Sequence, residues 1–292
     1  MKNFKNKIAV VTGGGTGMGR ELVRQLAAEG CHVAMCDVIQ ENMEETFEIV
    51  SKECPNIRVT KHICDVSDEE QVLLFKDEVI DQHDTSVINL LFNNAGIGGG
   101  GEFVTGDRDE WERTFAVCWY GVYYGCRAFM PMLEAADAGY IVNTSSVNGF
   151  WASLGPGVSH TAYAAAKFAV KGFTEALVTD LRLNAPHIKC AVVMPGHIGT
   201  SIALNTSKVL GRNGALQMDA EEVAEIRDRL QKRGMPVDNV PDDHIRQMLQ
   251  QQAESFRDEA PTTAAQAADI ILQGVRDERW RILVGDDAHA MD

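Results

Sequence analysis

The stretch that most constrains this chain is residues 7–37. Lys7-Ile-Ala-Val-Val-Thr12 is a short apolar, β-branched run, the kind that forms a strand buried on both faces. It leads into Gly13-Gly-Gly-Thr-Gly17-Met-Gly19. Leu22, Val23, Leu26 and Ala27 then recur at helical spacing, and Gly30 closes that helix. A second apolar run, Cys31–Cys36, ends at Asp37. A strand, a glycine-rich turn, a helix, a strand and a terminal acid within roughly 30 residues form the context that a dinucleotide-binding unit requires. Glycines let the backbone turn tightly and approach a pyrophosphate, and the helix N-terminus offers unpaired N–H groups. Gly13, Thr16, Gly17, Met18 and Gly19 are therefore candidate cofactor contacts. Asp37 can accept hydrogen bonds from ribose hydroxyls and would repel a 2′-phosphate. No Lys or Arg lies between Gly13 and Gly19 or directly after Asp37, so NAD is favoured over NADP.

The alternation continues down the chain. A helix is expected at about 41–53 and a strand at 57–63, ending in Cys64-Asp65-Val66. Ser67 reads as an N-cap with Glu70 completing a capping box, for a helix reaching about residue 82. Strand 87–92 ends in Asn93-Asn94-Ala95-Gly96, and a long helix is expected over about 109–135. Strand 140–144 ends in Ser145-Ser146, helix 161–184 follows, and strand 188–194 ends in Pro195-Gly196. Repeated polar or glycine strand ends suit a cofactor lying across the carboxyl edge of a parallel sheet. The expected fold class is α/β, a Rossmann-like doubly wound parallel sheet of about seven strands with helices on both faces. The chain reads as one domain over 1–292. Within it, 200–260 is a polar helical insertion with helices near 219–233 and 242–257, serving either as a solvated surface segment or as a substrate lid. Helix 264–275 and strand 280–284 follow.

Composition narrows the function classes. The formal charge of −15 disfavours nucleic acid as a partner. The seven cysteines are odd in number, scattered and without a C-x-x-C pair, which argues against a disulfide framework or a zinc site; no metal is expected. No secretory signal and no apolar stretch approaching the ~18 residues of a membrane span is visible, so the expectation is a cytoplasmic protein without a membrane partner.

Tyr163-Ala-Ala-Ala-Lys167 puts a phenol and an ammonium one turn apart on one helical face. A free phenol ionises near ~10, and an adjacent cation favours the phenolate, so the pair is a reasonable proton-transfer group.

Together these residues resemble the short-chain dehydrogenase/reductase family over about residues 5–285. The matching motifs are Thr12-Gly13-x-x-x-Gly17-x-Gly19, Asp65-Val66, Asn93-Asn94-Ala95-Gly96, Ser146, Tyr163-x-x-x-Lys167 and Pro195-Gly196 with Thr200. The resemblance implies an NAD-dependent oxidoreductase that interconverts a secondary alcohol and a ketone. Tyr163 would be the acid/base, Lys167 would lower its pKa and hold the nicotinamide ribose, and Ser146 would steady the substrate oxygen. Ser145, its neighbour, would serve the backbone. Asp65 and Val66 would flank the adenine, and Asn93 would support the adenosine side. The turn at Pro195, with Ile198 and Thr200, would hold the carboxamide. The resemblance also implies a homo-oligomer, a dimer or tetramer. The face formed by Val122, Tyr123, Cys126 and Met130 is compatible with that, and burial within one chain explains it equally well.

Two departures stand out. Cys118 sits where the family usually has asparagine, in Val117-Cys-Trp-Tyr-Gly121. A thiol cannot position a relay water as an amide does, which bears on the outer proton relay rather than on hydride transfer; Cys118 is either a small buried hydrophobe or a reactive thiol, and it is the one feature in favour of a non-catalytic binder. Asn148 or His160 is a candidate substitute. The second departure is the loop between Ser146 and Tyr163, about four residues longer than the family pattern. Its Phe150, Trp151 and Leu154 either line a pocket for a hydrophobic or aromatic substrate or pack on neighbouring loops. The alternative to an enzyme is an NAD(H)-binding sensor or scaffold on the same fold.

Overall fold

A computed structural model of the chain describes residues 1–153, 159–232 and 234–292. Seven parallel strands form the main sheet: β1 (Ile8–Thr12), β2 (His32–Asp37), β3 (Val59–Ile63), β4 (Leu90–Asn93), β5 (Gly139–Thr144), β6 (Ile188–Pro195) and β9 (Arg281–Val284). Their order is β3-β2-β1-β4-β5-β6-β9, so the chain winds outward from β1 in one direction and from β4 in the other. The carboxyl ends of β1 and β4 meet where that direction reverses, which is where a doubly wound sheet opens a crevice. Ala9 pairs with Leu90 and Val11 with Phe92 across this switch point.

Alternation along each strand fills two cores. On one face, Val11, Phe92 and Val142 pack with α1 (Gly17–Ala28), α2 (Gln40–Glu53) and α10 (Ala264–Arg276). On the other, Val10, Leu91 and Ile141 pack with α3 (Glu69–His83), α5 (Gly121–Glu134) and α6 (Thr161–Asn184). The expected long fourth helix is present as α4 (Arg108–Phe115) continued by α5, with a π-helical turn at Ala116–Tyr120 between them. Val122 and Cys126 are buried within the chain, whereas Tyr120 and Tyr123 remain exposed.

One helix start differs from the expected one. Asp68, not Ser67, caps α3, its carboxylate accepting from the backbone N–H of Glu70 (3.0 Å) and Gln71 (3.3 Å). The Ser67 hydroxyl instead donates to Asp65 Oδ1 at 2.7 Å. An aspartate one residue nearer the first turn outcompetes serine because its charge also suits the helix N-terminus.

The insertion contains α7 (Ile202–Val209), α8 (Ala220–Lys232) and α9 (Asp242–Asp258). A short pair, β7 (Ile198–Gly199) with β8 (Thr262–Thr263), closes its base. The chain ends in α11 (Asp286–Met291). All seven cysteines are free, and no helix among the described residues is long and apolar enough to cross a membrane.

Candidate active site

The crevice at the switch point holds about 800 Å³ of open space. Gly13, Thr16, Gly17, Met18, Asp37, Asp65, Val66 and Thr200 all line it. Gly13 has φ +66°, and a Cβ there would come within 2.8 Å of Ala95 Cα; only glycine lets β1 turn so close to the β4 end. Thr16, the N-cap of α1, makes no side-chain capping bond, so the first-turn N–H groups are open to an anion. Gly19 lies behind the loop, where a Cβ would stand 1.9 Å from Gly13 O. These features fit a dinucleotide pyrophosphate.

At the end of β2 the Asp37 carboxylate is fixed by two backbone bonds, from Gly15 N (2.9 Å) and Ile39 N (3.0 Å). Burial pushes its carboxyl above the ordinary value, and the N–H groups of Ile39, Gly15 and Val38 pull it back in part. Arg20 follows the glycine loop but is fully engaged, donating to Gly15 O (2.8 Å) and Thr46 Oγ1 (2.9 Å) and pairing with Glu45 (2.5 Å). Asp65 pairs with Arg113 at 2.5 Å. Burial raises the Asp65 carboxyl, but Arg113 and Ser67 outweigh it and hold the group below the usual carboxylate range.

The structure does not bring Asn93 to the crevice. Asn93 shares the face of Leu91, and its amide donates to Asn143 Oδ1 at 2.8 Å beneath α5. Strand alternation decides this, since two successive residues cannot face one side. Asn94 lines the crevice instead and ties β4 to the glycine loop, its backbone N–H donating to Thr12 Oγ1 (3.0 Å) and its side-chain amide to Thr12 O (3.1 Å).

Tyr163 and Lys167 lie on α6 with the Lys167 ammonium 5.3 Å from the phenol ring centroid. Lys167 is 2% exposed, and its Nζ donates to Thr144 O at 2.9 Å. Gly96 lies between the crevice and this pair: a Cβ there would be 3.5 Å from Lys167 Nζ and 3.7 Å from Cys118 Sγ. Burial pushes the Tyr163 phenol above its ordinary value; the Lys167 charge and the Ser146 hydroxyl draw it down, and Cys118 adds to the rise. The net direction is thus opposite to that expected from Lys167 alone, because desolvation outweighs the cation. The two serines divide their work. Ser145 Oγ donates to Lys167 O at 2.7 Å and holds α6 to β5, while Ser146 Oγ accepts from Asn148 N at 3.2 Å and stays beside Tyr163.

Cys118 lies in the π-helical turn, fully buried, and its thiol donates to Ile97 O at 3.3 Å. Of its two candidate substitutes, Asn148 is committed to its own loop through Trp151 O and Ala152 O, both at 3.3 Å. The His160 ring lies 6.3 Å from the Tyr163 ring and lines a second, charged cleft that also includes Glu110, Arg212 and Asp228. Phe150 is half-buried. Trp151 is exposed and turned to α11, its indole N–H donating to Met291 O at 2.8 Å. Leu154 lies outside the described residues.

Pro195 is buried at the end of β6 and Ile198 in β7, with Thr200 beyond them in the crevice. Sequence reasoning missed Asn94, Arg113 and Asn205, all of which line the crevice. Alternation could have separated Asn94 from Asn93; nothing local marks Arg113 or Asn205. Among the described residues no group of three or more His, Cys, Asp or Glu could hold a metal ion.

A family model described as short chain dehydrogenase matches residues 7–210. SadH of Mycobacterium tuberculosis is 32% identical over 292 residues, covering 100% of this chain and 91% of its own length. Among solved structures, a short chain dehydrogenase/reductase from Burkholderia phymatum in complex with NAD has a TM-score of 0.78 at 28% identity, covering 99% of this chain and 92% of that one. A metagenomic short-chain oxidoreductase in complex with NADP has a TM-score of 0.58 at 29% identity, covering 66% of this chain and 83% of that one.

Proposed function

The chain belongs to the short chain dehydrogenase family, and from that premise we propose that it is an NAD-dependent oxidoreductase interconverting a secondary alcohol and a ketone, with Tyr163 as acid/base. The observation that carries this reading is the convergence of Ser146, Tyr163 and a buried Lys167 beside a crevice that fits a dinucleotide. When bound, the oxidised dinucleotide supplies the hydride acceptor and a positive charge near the phenol. Tyr163 takes the hydroxyl proton in the oxidative direction and returns it to the carbonyl oxygen in the reductive one. Ser146 donates to the same oxygen as charge develops there. Lys167, anchored on Thr144 O, keeps its charge at a fixed distance from the phenol.

Asp37 supports NAD as the cofactor. Asp37 lines the crevice, and Arg20 after the glycine loop and Arg113 in the lining are already paired with Glu45 and Asp65. Half-buried Phe150, four residues after Ser146, supports a hydrophobic or aromatic substrate, with Trp151 beside it in the same loop turned to α11. The 200–260 segment serves as a cover of this site; α7 reaches the crevice through Asn205. Exposed Tyr120 and Tyr123 support association into a homo-oligomer, which light scattering would measure.

The test is an absorbance assay at the NADH band with secondary alcohols and ketones, run with both nucleotides. The expected outcome is turnover with higher kcat/KM for NAD. Comparable kcat/KM with NADP would refute the Asp37 argument. Silence across the panel despite tight NAD binding would refute the enzymatic reading and favour a sensor.

A further inference from the structure

The last helix, α11, touches both the Pro195–Ile198 turn and the loop after Ser146. Gly285, at φ +98°, turns the chain so that Asp287 lies over Gly196. The approach is close: a Cβ on Gly196 would stand 2.2 Å from Asp287 Oδ1 and 2.3 Å from its Cγ. Asp287 Oδ2 accepts the His197 backbone N–H at 2.6 Å, and Oδ1 accepts the Ala288 N–H at 3.0 Å. The preceding N–H, of Gly196, goes to Val284 O at 3.0 Å. Ile198 then pairs with Thr262. Every step of the turn is therefore held from the C-terminal side of the sheet, and the His197 bond is the one in which the acceptor is a carboxylate. Charge-assisted bonds of this kind are shorter and stronger than neutral ones. The other end of α11 holds the substrate-side loop through Met291 O and Trp151, and Ala288 between them is fully buried against the core.

We propose that Asp287 is a positioning residue for the nicotinamide half of the dinucleotide, acting through the backbone of Gly196 and His197. The inference rests on the proposed function, which puts the carboxamide at this turn. Asp287 does not itself reach the crevice lining; it sets where the turn lies. Loss of its carboxylate should leave the turn free to shift away from β9, while the adenosine end, built from the glycine loop, Asp37 and Val66, keeps its own bonds. The effect should thus separate the two halves of the ligand. A merely structural role would weaken both halves together.

The test is titration calorimetry on the full chain with NADH and with ADP-ribose, which lacks the nicotinamide. For Asp287→Ala the expected result is about a tenfold weaker NADH affinity with ADP-ribose affinity unchanged within about twofold. Asp287→Asn, which keeps the size and one acceptor oxygen, should move NADH in the same direction by less, and serves if the alanine variant does not fold. Parallel weakening of both ligands, or no change in either, overturns the inference while leaving the proposed function intact. A wild-type protein that binds ADP-ribose or NADH not at all overturns the proposed function and the inference with it.

Discussion

The sheet with its flanking helices and the 200–260 insertion are both helix-rich, but they are held by different forces. In the first, α5 alone buries Val122, Cys126, Phe129 and Leu133, and β4 is buried along its whole length. In the second, α7 buries no residue, α8 only Val223 and α9 only Ile245. Within the insertion, beside buried Val223, Val237 and Ile245, Arg227 donates to Val237 O and Val240 O at 2.6 Å and pairs with Asp242 at 2.5 Å. Its links to the rest are mixed: Asn205 Nδ2 to Thr16 Oγ1 (3.0 Å), Gly98 N to Thr206 Oγ1 (2.9 Å) and the Arg212–Glu110 ion pair, with half-buried Val209 and Leu210 against the core and the Phe256 ring 4.3 Å from that of His197. Exposed ion pairs each contribute ~0–1 kcal/mol, whereas a buried aliphatic side chain contributes roughly 1.5–3 kcal/mol. The sheet is therefore the stable frame, and the insertion, with few buried side chains, is an element of lower local stability, in keeping with the covering role proposed for it.

The sharpest way to separate the two regions is through catalysis. Tyr163→Phe, in the frame, should lower kcat by about 10²–10⁴-fold with little change in NADH affinity. Steady-state kinetics beside a binding titration measures both, and retained turnover would remove Tyr163 from its role.

Next comes stability. Leu91→Ala, at the centre of the sheet, should lower global stability by roughly 2–5 kcal/mol in a denaturant titration. Ile245→Ala, equally buried but in α9, should instead lower hydrogen-exchange protection across 202–258 and leave the main unfolding transition nearly in place. A single shared loss of protection over the whole chain would break the comparison.

Acid sharpens it further. Burial, then nearby Arg58, His32 and His62, push the His83 imidazole down to about 4, and its Nε2 lies 2.9 Å from Thr60 Oγ1. His62 is also lowered, by burial against the opposing pull of Glu78. Because the unfolded chain binds the His83 proton near ~6.5, the unfolded state gains protons first as pH falls. Stability should therefore be complete above about 6.5 and decline towards pH 4, by on the order of 3 kcal/mol from His83 alone. His83→Gln should flatten that slope; an unchanged slope would exclude His83 as its source.

The smallest expected effect is Asn205→Ala in the insertion, about a threefold rise in the NADH dissociation rate by stopped flow, with no change in global stability. A tenfold loss of global stability from the same change would mean the insertion belongs to the frame.

Much of the frame and of the site could be read from local pattern. Helix 161–184 was legible to the residue, because its start, spacing and end are all encoded within one stretch. Tyr163, Lys167 and Ser146 come together as their strand and helix positions implied. The glycine loop, Asp37 and Asp65 likewise reach one crevice, because a parallel sheet brings its strand ends to one edge. The insertion was legible only as polar and helical.

By itself, then, the sequence determined the alternation of strands and helices, the family and the chemical groups at the strand ends, since periodicity and glycine spacing act over a few residues. Tertiary structure alone decided which of Asn93 and Asn94 faces the crevice, that Asp68 rather than Ser67 caps α3, and that burial outweighs Lys167 at the Tyr163 phenol. It also brought Asp287 onto Gly196, 91 positions earlier in the chain. Facing, desolvation and long-range contact depend on what every other element leaves exposed, and no local window of residues contains that information.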